Sequence, residues 1–205
     1  MDFRGDGFPA GDAPRSEGAH EQAEPRDWTC AVTPRLPGRT TLTLVGALQA
    51  GWAARLASGL AARGVSVLRA RAHKNLARVW LAELDVQAPD ASAPVDGGTV
   101  DRILRDRGPL EGRSHAPAVT RYVLTPREDA LEVQIRAPDS VGLLDRILRM
   151  FAFYGLFPCD LAIDTVRGEA RDTFRLRTMT GEVPSSRTRD ALERRLAALS
   201  GVLRV

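Results

Sequence analysis

The chain has 205 residues, 43% of them hydrophobic and 27% charged, the make-up of an ordinary soluble globular protein of one domain or two compact ones. No stretch approaches the roughly 18–20 apolar residues of a membrane span, and residues 1–18 lack the apolar run of a secretory signal, so no membrane association and a cytoplasmic location are expected. The net charge of +3 does not point to nucleic acid, because the arginines interleave with Asp and Glu, as in Arg189-Asp190 and Glu193-Arg194, instead of massing in one stripe.

In chain order, residues 1–36 are rich in Gly, Pro, Asp, Glu and Ser and predict a flexible arm, with the patch 27–34 a candidate for docking onto the first domain. That first domain is expected over 37–127. Its predicted strands lie near Thr40–Val45, Val65–Ala72, Arg78–Val86 and Val119–Leu124, and its helices near Gly51–Arg63 and Thr99–Arg107. A second domain is expected over 128–205. Leu131, Val133 and Ile135 alternate with polar residues as in a half-buried strand. Asp139 or Ser140 is placed to cap the next helix, whose apolar stripe is Leu144, Ile147, Leu148 and Phe151 and whose stop is Gly155. Cys159, Leu161 and Ile163 predict a second strand, with Asp160 and Asp164 on its other face. A turn at Arg167–Gly168 leads to a third strand with Phe174 and Leu176 inward. Arg171, Arg175 and Arg177 on that strand are expected to form cross-strand ion pairs with Asp160 and Asp164. A helix capped by Ser185 or Ser186, with Leu192, Leu196 and Leu199 buried, precedes a short closing strand, 202–205.

The two stretches repeat one another. A constant offset of 91 places Gly51 on Gly142 and Gly64 on Gly155, Leu42 on Val133, Leu44 on Ile135, and Leu60 on Phe151. Each copy therefore reads as βαββαβ, and the fold class as α+β: two ferredoxin-like domains in tandem, each an antiparallel sheet with two helices on one face.

At 131–156, "LEVQIRAPDSVGLLDRILRMFAFYGL", the sequence resembles the ACT domain, a ligand-binding regulatory module of amino-acid and nitrogen metabolism. Asp139, Gly142, Leu143, Leu144 and Gly155 fit the family pattern, while Val141 stands where the family usually has Pro. Tandem pairs of this kind are similar to those of the glycine-cleavage-system repressor and of the C-terminus of the nitrogen-regulatory uridylyltransferase. The resemblance implies a non-catalytic regulator that binds an amino acid or similar small metabolite where two domains meet and modulates a metabolic partner, as a homodimer or through a regulated protein. Its alternative is a ligand-free dimerisation or interaction module. The ligand loop is expected at Asp139, Ser140, Val141, Gly142 and Leu143, where helix N-terminal amides favour an anion and Asp139 either caps the helix or also meets an ammonium group. The first copy has Leu48, Gln49 and Ala50 in place of Asp139, Ser140 and Val141, so it is expected to be a scaffold.

No P-loop, GxGxxG, GxSxG or HExxH motif occurs, and no Cys–His pair has supporting context, so no enzyme and no cofactor are expected. Cys30 and Cys159 form no CxxC motif and predict free thiols, with Cys159 as a small buried hydrophobe. His73 and Lys74 read as solvated residues of a hairpin tip.

Overall fold

The structure, a computed structural model, describes residues 27–106, 108 and 118–200. Twelve elements follow in the order β1 (Trp28–Leu36), β2 (Arg39–Gly46), α1 (Trp52–Ala61), β3 (Ser66–Lys74), β4 (Trp80–Gln87), α2 (Gly97–Arg105), β5 (Arg121–Pro126), β6 (Leu131–Pro138), α3 (Leu143–Phe153), β7 (Leu156–Val166), β8 (Glu169–Thr178) and α4 (Ser186–Ser200). The strands form one eight-stranded sheet in the order β1-β2-β4-β3-β7-β8-β6-β5, antiparallel at every pairing.

Period-two alternation decides the two faces of the sheet. Leu42 and Leu44 of β2, Ala82, Leu84 and Val86 of β4, Val133 and Ile135 of β6, and Phe174 and Leu176 of β8 are buried in one hydrophobic core beneath the helices. The opposite face carries residues such as Glu83, Arg136 and Arg171 and stays open. Small residues on α1 let the helices approach closely: Ser58 receives a 2.8 Å hydrogen bond from Arg149 of α3, which also holds Asp145 at 2.7 Å. On α1's other flank, Gly59 faces Ile103 of α2 so closely that an added Cβ would lie 2.5 Å from it.

Two expectations about connectivity are corrected. Residues 28–36, placed in a flexible arm, form β1, whose Trp28, Cys30 and Val32 pack against the core. It pairs with β2 in the register Cys30↔Leu44 and Val32↔Leu42. The strand expected to close the first copy is β5, and it pairs with β6 rather than β2. The reason is the short connection 127–130, closed by a 2.9 Å bond from Arg127 N–H to Ala130 O, which forces an antiparallel hairpin. Each half of the sheet is therefore ββαββα along the chain. The leading strand occupies the edge that the last strand of βαββαβ would take. The expected closing strand at 202–205 lies outside the described residues.

The halves meet at β3 and β7, through Ala70↔Ile163, Arg71↔Ala162 and Ala72↔Leu161. Residues 71 and 162 are 91 apart, the offset of the sequence repeat, so a pseudo-two-fold axis passes through this pair. The axis brings each strand-to-helix loop of one half against the helix of the other.

Candidate functional site

Both loops are built alike. Each ends in a glycine at the helix N-cap, Gly51 at φ 82 and Gly142 at φ 81, in the left-handed region that other residues enter only at a cost. Neither cap position receives a side-chain hydrogen bond. The expectation that Asp139 or Ser140 caps α3 is thereby corrected. Gly142 takes that position because its left-handed turn aims the chain into the helix, and Ser140 Oγ instead accepts a 2.9 Å bond from Arg146. At α4 the expected Ser185 does cap, accepting from Thr188 N–H at 3.2 Å.

The five residues Asp139, Ser140, Val141, Gly142 and Leu143 lie together on one small pocket against Ala57, Ala61 and Val67 of the other half. Its free volume is about 20 Å³, which suits roughly one water and no amino acid. Asp172 of β8 lines it from below, 3% exposed, with Oδ1 lacking a hydrogen-bond partner. Burial, and then the charges of Asp139 and Asp164, push its carboxyl up to about 7. The signal for Asp172 was in the sequence: it takes the inward position in Ala170–Asp172–Phe174–Leu176, on an otherwise apolar face.

The pseudo-equivalent space under the first loop is far larger. A cleft of about 560 Å³ lies between Leu48–Ala54, the β3–β4 hairpin, Leu148 and Ala152 of α3, and the facing ends of β7 and β8. Trp52 and Trp80 form one apolar wall, edge to face at 5.3 Å. Lys74 and Arg78 stand on the hairpin side; Cys159, Asp160 and Met179 stand on the far side. The hairpin tip is thus a wall of the cleft as well as a solvated turn. It is tightened by Asn75, whose side chain accepts from Val79 N–H at 2.9 Å, and by Arg78 at φ 61.

Arg175 and Arg177 reach Asp129 of the β5–β6 turn, at 2.6 and 3.0 Å, and Arg171 reaches Glu169 at 2.8 Å. These replace the expected pairs with Asp160 and Asp164. The hydrogen bond from Arg175 holds the Asp129 carboxyl below its ordinary value. Cys159 is a free thiol, and both it and Cys30 are partly buried. Burial raises the Cys159 thiol, which donates to Arg175 O at 3.3 Å. Among the described residues no group of three His, Cys, Asp or Glu side chains is set to hold a metal ion, and no helix is long and apolar enough to cross a membrane.

Neither a known protein-family profile nor a curated protein matches the chain. Among solved structures, it is similar to the crystal structure of aspartate kinase from Synechocystis, with 17% identity and a TM-score of 0.44 over 79% of this chain. The matched part is 26% of the kinase chain, so this protein spans about a quarter of that structure.

Proposed function

We propose that the chain is a non-catalytic regulator of the ACT type, which binds an amino acid or similar small metabolite between its two halves and passes the change to a protein partner. The observation that carries this reading is the cleft of about 560 Å³ at the β2–α1 loop, within the roughly 300–1,000 Å³ typical of ligand sites. Its chemistry suits a zwitterion with an apolar side chain. The first-turn amides of α1, together with Lys74 and Arg78, favour a carboxylate, Asp160 favours an ammonium group, and the Trp52–Trp80 wall favours apolar matter. Because the cleft is bounded by both halves, an occupant would bias their relative packing, and a ligand acts only through such a difference between states.

A thermal-shift screen of the standard amino acids tests the proposal. At least one should raise the melting temperature saturably, and Lys74→Ala with Asp160→Asn should abolish the shift. If the shift survives those changes but is lost in Asp139→Ala, the ligand belongs to the second loop, Asp139–Leu143. No shift with any amino acid at millimolar concentration overturns the reading.

A second reading, a ligand-free pairing module, draws support from the apolar residues around the cleft. Leu76 and Met179 on its lining, and Phe153 at the end of α3, are all exposed. Sedimentation distinguishes it: a self-association weakened by Leu76→Ser with Met179→Ser, and indifferent to metabolites, favours this second reading.

A further inference from the structure

The small pocket under the β6–α3 loop combines features that a purely structural cavity does not need. Asp172, 3% exposed, presents an oxygen with no hydrogen-bond partner, and the Thr165 hydroxyl on the same pocket is equally unpartnered. Asp139 adds a second carboxylate. The remaining acid on the lining, Asp145, is held by Arg149, and among the described residues no lysine or arginine lines the space. A buried carboxylate without a counter-charge is among the costliest arrangements a fold can hold. The vacant volume, about 20 Å³, admits one body the size of a water and no more.

We propose that this pocket binds a single dehydrated alkali cation, Na⁺ or K⁺, between the carboxylates of Asp172 and Asp139 and the hydroxyl of Thr165. Mg²⁺ fits poorly, because it keeps several of its waters and this space has no room for them. The site is peculiar to the second half. At the equivalent positions of the first half Ala82 replaces Asp172 and Trp80 replaces Ala170, as the matching registers Leu44↔Ala82 with Ile135↔Asp172 and Gly46↔Trp80 with Ala137↔Ala170 require. Since Ala57, Ala61 and Val67 form the opposite wall, the ion ties the β6–α3 loop down onto α1. This ion site is independent of the metabolite cleft, which lies under the other loop.

Thermal unfolding of the full chain in NaCl, KCl, methylammonium chloride and tetramethylammonium chloride, at equal ionic strength and slightly alkaline pH, tests the site. Na⁺ or K⁺ should raise the melting temperature saturably, by roughly 3–6 °C over tetramethylammonium, which is too large to enter. Asp172→Asn should melt alike in all four salts, and Thr165→Val should show a weakened dependence. In parallel, the ²³Na signal should broaden with the native protein and not with Asp172→Asn. Equal melting of the native protein in all four salts overturns the proposal. So does a cation effect that persists in Asp172→Asn, or a response to methylammonium alone, which would make the pocket an amine site.

Discussion

Asp172 shows how one residue can set a property of the whole fold. Its carboxyl is pushed from the ordinary 3.8 up to about 7 in the folded chain, chiefly by burial and then by Asp139 and Asp164. Between those two values the unfolded chain has released the proton and the folded chain still holds it. Stability must therefore fall as pH rises through that window and level off above about 7, by up to roughly 4 kcal/mol in total. Urea unfolding in tetramethylammonium buffers at a series of pH values should show this slope, and Asp172→Asn should flatten it. Gly142 carries a conformational constraint instead. At φ 81, with an added Cβ 3.3 Å from Arg146 and 3.5 Å from Ala61, Gly142→Ala should cost about 1–2 kcal/mol in the same assay. A control at an exposed helical position, such as Arg194→Ala, should change stability by less than about 0.5 kcal/mol.

At the scale of elements, most of the fold was legible because its signals are periodic. The alternation of Leu131, Val133 and Ile135, the stripe Ile147, Leu148 and Phe151, and the stop at Gly155 each follow from local geometry. What failed was pairing, which is a property of two segments. The motif Trp28-Thr29-Cys30-Ala31-Val32 alternates as well as any strand, but its polar, Pro-rich surroundings hid it. The short 127–130 turn falls at the boundary expected between the domains, yet so short a link makes its flanking strands partners. The size of the two pockets was not legible, since it depends on side chains, such as Trp80 and Ala170, that meet only across strands. If β1 is integral, hydrogen exchange should find the β1 amides that bond to β2 protected to nearly the same degree as those of β2 itself, not exchanging at the rate of an unstructured tail.

At the scale of the molecule, the β3–β7 pairing makes the halves a single sheet, and Arg149 reaching Ser58 joins their helices. Arg71 adds a 2.9 Å bond to Ile163 O across the same seam. With β3 paired to β7 and one continuous core, the chain should unfold in one step. Calorimetric and van't Hoff enthalpies should agree. Two separated transitions would mean that the seam is weak. Expressed separately, either half would expose β3 or β7 as a raw edge, and should associate with itself or with the other half rather than remain monomeric.

The pseudo-two-fold axis through Arg71 and Ala162 also bears on how the two loops came to differ. In a homodimer built on that axis, every substitution would appear twice, and two loops facing the seam could never differ. Covalent fusion removes that bond of identity. One loop carries Leu48 and Ala50 beside an open cleft, while its counterpart carries Asp139 over a closed, acidic pocket. The pseudo-symmetry therefore leaves the two loops free to differ, and with them the space that each one covers.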